Sequence, residues 1–150
     1  MAGHIPFRQV DLRLQNSRLI WLSTTSDAGD SHCVPISFWW QSDAKQLYFV
    51  SKKRSTKVNH LQREPRVILH AGEGDAMVIL EGQAETVHDS EEQQLIDSCW
   101  QAKYTGTTVL DNREMLLYRV KISQVIVRDY EKGNTSTNWN FEEKVATAKV

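Results

Sequence analysis

The sequence predicts a mainly β domain whose strands close into a barrel, with two helices set between them. Three observations predict it. About six stretches rich in β-forming residues follow one another along the chain. The turns between most of them are short, so neighbouring strands pair antiparallel, and the β-α-β alternation of a doubly wound sheet is absent. About six antiparallel strands in one domain leave exposed edges, and closing the sheet on itself removes them.

The elements follow in order. Arg18 to Thr25 (RLIWLSTT) reads as a strand ending in the turn Ser26 to Ser31 (SDAGDS). His32 to Gln41 (HCVPISFWWQ) is the second strand, and Pro35 marks an edge or bulge because it cannot donate to a ladder. After the turn SDAK, Gln46 to Ser51 completes a three-stranded meander. Ser55 is a good N-cap for a short helix from Thr56, which Pro65 ends, and Val58 and Leu61 share one face of it. Arg66 to Ala71 is a strand, Gly72 to Asp75 turns the chain, and Ala76 to His88 is a long bent strand with a bulge at Gly82. Ser90 and Gln93 have capping-box spacing for a second helix near 90–104. Its Leu95, Ile96, Cys99 and Trp100 repeat at helical intervals, and Gly106 closes it. Met115 to Tyr130 is the last strand. The expected organisation is one domain over residues 1–130 and a polar C-terminal tail over 131–150, available to pack on a partner subunit.

Composition narrows the function. With 150 residues and 40% hydrophobic content, the chain can bury a core without metals or disulfides. Eighteen basic residues against 19 acidic ones give a net charge of -1, which does not favour a nucleic-acid partner. No apolar run suits a membrane span, and the N-terminal stretch lacks the apolar core of a signal peptide. The expected location is the cytoplasm, with Cys33 and Cys99 as buried or idle thiols and Cys33 as a small apolar filler.

The chemistry concentrates at Ser51 to Lys57 (SKKRSTK), where a strand end meets a helix start. An anion there meets free first-turn amides, hydroxyl donors from Ser51, Ser55 and Thr56, and the ammonium of Lys57 on an exposed first turn. The preceding strand HCVPISFWW offers an apolar wall for a ring system. Pro35 frees its neighbours' amides for a ligand. Phe38, Trp39 and Trp40 cannot all face one way.

The runs VPISFWW, QLYFVS and RSTKVNHLQREPRVIL resemble the pyridoxamine-phosphate-oxidase-like split-barrel proteins, over residues about 15 to 130. The resemblance implies a split Greek-key barrel, a homodimer, and FMN or a deazaflavin bound across the dimer interface. It implies that Ser51, Arg54, Ser55, Thr56 and Lys57 hold the phosphate, and that Val34, Pro35, Ile36 and Ser37 line the isoalloxazine ring. It also implies closure by the other subunit, for which Trp100 or Trp139 has the right residue type. True pyridoxamine-phosphate oxidases end in an Arg-Pro-rich substrate motif, whereas this chain has no proline after Pro65, which argues against pyridoxamine phosphate as substrate. The expected function is an FMN-dependent oxidoreductase acting on a small molecule. Alternatives are a deazaflavin-dependent reductase, a non-catalytic flavin carrier or sensor, and a haem protein with His70 or His88 as axial ligand. No general acid or base stands out, and no metal site is expected, since the five histidines lack zinc-type spacing. His32 and Cys33, as strand neighbours, point to opposite faces and cannot form a nucleophile pair.

Overall fold

The structure, a computed structural model, describes residues 5–110, 113–130, 133 and 135–141. Its elements are α1 (Phe7–Asn16), β1 (Leu19–Thr25), β2 (Ser31–Ser37), β3 (Trp39–Gln41), β4 (Gln46–Lys52), α2 (Thr56–Leu61), β5 (Arg66–Glu73), β6 (Ala76–Thr86), α3 (Ser90–Lys103), β7 (Met115–Asp129) and β8 (Thr135–Asn140). All eight strands belong to one antiparallel sheet in the order β2-β1-β5-β6-β7-β4-β3, with β8 on β7. The two ends of that order, β2 and β3, are consecutive in the chain, so the sheet curls round until its ends meet. This is the split barrel that the sequence predicts.

Four details depart from the expectation. The strand predicted over 32–41 breaks at Phe38, and its halves pair at opposite ends of the sheet, β2 with β1 and β3 with β4. A third helix, α1, precedes the barrel and buries Val10 and Leu14. Residues 135–140 of the expected tail form β8, which pairs with β7 through Val125↔Trp139 and Val127↔Thr137. The cap of α3 is Asp89, not Ser90: its carboxylate accepts the Glu92 N–H at 2.9 Å, while Gln93 Nε2 donates to Val87 O at 3.0 Å. The bulge falls where expected, between Glu81 and Gly82.

The barrel interior holds Leu22, Phe38, Leu47, Phe49, Leu69, Leu80, Val120 and Val125, all fully buried. Trp40 joins them, and its indole N–H reaches the Asp11 carboxylate of α1 at 2.9 Å. Trp39 turns the other way, against the cluster of Trp100, Tyr104 and Val109 beside α3. On α3, Ile96 and Trp100 are buried, whereas Leu95 lies 55% exposed.

Candidate functional site

The basic turn is built at the end of β4. Ser51 is buried, and its Oγ lies 2.7 Å from Ser55 Oγ. Ser55 caps α2 by accepting the Val58 N–H at 3.4 Å. Ser51 Oγ can also donate to Lys52 O at 3.3 Å; when it donates to Ser55 instead, the Ser55 O–H is left to point at an outside acceptor. The amides of Thr56 and Lys57 lie in the first turn and meet no backbone acceptor among the described residues. Lys57 is half-buried rather than exposed, a correction to the sequence expectation. Burial holds its ammonium below the ordinary lysine range, and it joins none of the ion pairs of the described residues. A cation has thus lost water without gaining a counter-charge, which is the state a phosphate would relieve. Arg54 and Thr56 are exposed at the same turn.

The second part is the outer edge of β2. Pro35 stands opposite Trp21. Lacking an N–H, it has to occupy a rung at which the backbone of β2 points away from β1. The turn fixes the same parity: Ser26 N–H donates to Asp30 O at 2.9 Å, so Thr24–His32, Leu22–Val34 and Ile20–Ile36 are the bonded rungs. The amides at the open edge are therefore those of Ser31, Cys33 and Ser37, and not those of Val34 and Ile36, the immediate neighbours of proline that the sequence pointed to. Val34 is half-buried, Ile36 is core, and Ser37 is half-buried at the strand's end.

The fold brings these two parts together. β2 ends the sheet and touches β4 without pairing to it, which leaves a seam with no ladder. The His60 ring of α2 sits edge-on to His32 of β2, centroids 5.7 Å apart, and its Nδ1 lies 3.0 Å from Thr24 Oγ1. α2, which follows the basic turn, thus packs against β1 and β2 beside this seam.

Residues 8–128 match the profile of the pyridoxamine 5'-phosphate oxidase family. The chain belongs to that family. Solved structures share its fold. A conserved hypothetical protein from Mycobacterium tuberculosis superposes with a TM-score of 0.72 at 22% identity, covering 86% of this chain and 88% of that one. A pyridoxamine 5'-phosphate oxidase-related, FMN-binding protein from Nostoc punctiforme gives 0.65 at 14% identity, covering 94% and 99%. The general stress protein 26 of Bacillus anthracis gives 0.66 at 15% identity, covering 88% and 97%. Among curated proteins, none matches the sequence significantly.

Other residues of this family member lie elsewhere than the sequence suggests. Trp100, named as a residue that closes the site of another subunit, is 4% exposed, its ring tilted against Tyr104 with centroids 4.9 Å apart. Trp139 packs edge-on against Phe7 of the same chain, ring centroids 5.1 Å apart. Cys33 is exposed on the outer face rather than a buried filler. His70 stacks on Trp21, and His88 is exposed with Nε2 2.7 Å from Thr86 Oγ1. A groove of about 610 Å³ on the sheet's outer face is lined by Ser23, Arg66, Ile68, Glu81 and Gln124 among others. It contains none of Val34–Ser37 or Ser51–Lys57, and its one cation, Arg66, is taken up by Glu64. It is a poor place for a phosphate.

Two residues that sequence reasoning missed adjoin the seam. Tyr104 and Lys103, at the end of α3, both reach the backbone of Phe38 where β2 stops. Their only signal was their place before Gly106.

Proposed function

We propose that this protein binds FMN in the seam between β2 and β4 and acts as an FMN-dependent oxidoreductase on a small molecule. The carrying observation is Lys57. It is a half-buried cation with no counter-charge among the described residues, at the same turn as the Ser51–Ser55 hydroxyl pair and the first amides of α2, which meet no backbone acceptor there. That donor set suits a phosphate monoester. The outward amides and carbonyls near Pro35 suit the hydrogen-bonding edge of a flavin ring. The description of the Nostoc neighbour as FMN-binding supports the same cofactor. When bound, the flavin supplies hydride or electron transfer. The chain's own residues anchor the phosphate, orient the ring and exclude water.

The same proposal includes a second copy of the chain. Leu19, Trp21 and Ile68 are 59%, 47% and 44% exposed, and strand pairing sets them on one face of the sheet, with Ile79 and Ile126 half-buried beside them. A contiguous apolar patch of this kind marks an interface, and two-fold pairing is the commonest closure.

The test is a paired titration with FMN and riboflavin, which share the ring and differ in the phosphate. Lys57→Ala should weaken FMN by roughly ten- to a hundredfold and leave riboflavin nearly unchanged. Equal losses would make Lys57 a support of the pocket. No loss for either would make the turn a solvated surface. Bands near ~370 and ~450 nm in the purified protein identify flavin, whereas a single band near ~420 nm points to deazaflavin. Turnover with a reduced nicotinamide nucleotide then separates an enzyme from a carrier.

A further inference from the structure

Phe38 is the point at which one continuous run of chain leaves one end of the sheet and joins the other. β2 pairs with β1 up to Ser37, opposite Leu19. By the parity set at Ser26 and Asp30, the next pair, Phe38 with Arg18, should be a bonded rung, with Phe38 N–H donating to Arg18 O. It is not one. The Tyr104 hydroxyl stands in the gap, accepting from Phe38 N–H at 3.0 Å and placed to give its one proton to Arg18 O at 2.7 Å or to Phe38 O at 3.0 Å. Lys103 Nζ also donates to Phe38 O, at 3.0 Å, with its charge 3.7 Å from the Phe38 ring centroid.

Phe38 N–H, Phe38 O and Arg18 O each find a partner, and each partner comes from the last turn of α3 or the residue after it. The hydroxyl acts as a spacer. It keeps the strands apart by roughly the width of one extra oxygen while sparing them the cost of unsatisfied polar groups. The Tyr104 ring is fixed in turn by Trp100, centroids 4.9 Å apart, and by the Arg18 guanidinium, 5.0 Å from its centroid. This spacer therefore stands on a rigid support.

Ser37 is the residue immediately before the spaced rung, and its amide points away from β1 to the open edge. We infer that Tyr104, assisted by Lys103, is a positioning residue that sets the end of β2 at the spacing the cofactor ring requires. The inference rests on the proposed flavin site and adds to it a residue outside the phosphate turn. Without the hydroxyl, Phe38 N–H and Arg18 O either close directly, drawing Ser37 towards β1, or remain unpaired and mobile. Both outcomes misplace the edge that meets the ring and leave the phosphate turn as it was.

The experiment is a comparison of Tyr104→Phe with wild type in full-length protein, titrated with FMN and with riboflavin. Phenylalanine keeps the stacking on Trp100 and removes only the oxygen. The expected result is a loss of about tenfold for both flavins alike, with a shifted absorbance spectrum of the bound ring. That pattern differs from Lys57→Ala, which acts on FMN alone. A folded Tyr104→Phe with a lowered melting temperature but unchanged affinity and spectrum would overturn the inference, because a merely structural hydroxyl predicts that result. If Tyr104→Phe does not fold, Lys103→Met replaces it. It removes the ammonium from Phe38 O and leaves the Tyr104 hydroxyl in place, and unchanged affinities for both flavins would likewise overturn the inference. Wild-type protein that takes up neither flavin would overturn the cofactor assignment itself, and this inference with it.

Discussion

Lys103 carries its charge in a poor place for one. Burial, with the Arg18 guanidinium nearby, lowers its pKa from the ordinary lysine value of 10.5 to about 8. The unfolded chain therefore holds this proton more tightly than the folded one between about pH 8 and 10.5, and folding gains stability as pH rises through that window. Other groups titrate there too, among them Cys99, whose thiol burial pushes up. The clean measurement is a difference: the wild-type stability curve minus that of Lys103→Met should rise from pH 8 towards 10. A flat difference would mean that the ammonium is better solvated than its surroundings suggest. At this scale the sequence was half legible. Ser55 as a cap and Lys57 at a helix start follow from residue type and spacing. Tyr104 and Lys103 do not, because their partners are backbone groups of Phe38, more than sixty residues away. Asp97 was also missed, although its carboxylate organises the turn after α3 by accepting from Thr108 Oγ1 at 2.5 Å and Val109 N at 2.7 Å.

At the scale of elements, Gly82 shows how two long strands are allowed to bend together. A Cβ at this position would run into the backbone carbonyl of Lys121, with Val120 close behind. That carbonyl belongs to the ladder of β7 and cannot swing aside, so Gly82→Ala should destabilise the fold by about 2–3 kcal/mol, read as a lowered urea midpoint. An unchanged midpoint would mean that the bulge can migrate. A glycine inside a run of β-formers announces such a feature, and the sequence located it correctly. The elements that went unseen lacked such a signal. β8 alternates properly, but its inward residues are Thr135 and Thr137, buried threonines that leave no apolar period to detect. α1 does space Phe7, Val10 and Leu14 along one face, yet Pro6 precedes it and no side chain caps it, so the usual start signal is missing. The break at Phe38 is marked by neither glycine nor proline. It is enforced from outside by α3.

For the whole molecule, the closed antiparallel sheet was legible because the strands are many and the turns short. A homodimer was expected through the family resemblance, and the face proposed for it becomes visible once register sets Leu19, Trp21 and Ile68 on one side of the sheet. Replacing Trp21 by Lys should leave the barrel folded and shift the sedimenting species from dimer to monomer, because the side chain is 47% exposed and a buried lysine at an interface is costly. A wild-type chain that sediments as a monomer at micromolar concentration would remove that face as an interface. One feature of the topology bears on how the protein is made. β4 hydrogen-bonds to β7 from Gln46↔Lys121 to Lys52↔Met115, a pairing that spans about half the chain. During synthesis the ribosome therefore releases β3 and β4 long before their neighbour in the barrel exists, and β6 likewise waits for β7. The nascent chain must carry unpaired, aromatic strand edges until its last third has emerged. Chains stalled before residue 115 are thus expected to expose these edges and aggregate, and folding should proceed as a late, largely single event rather than strand by strand.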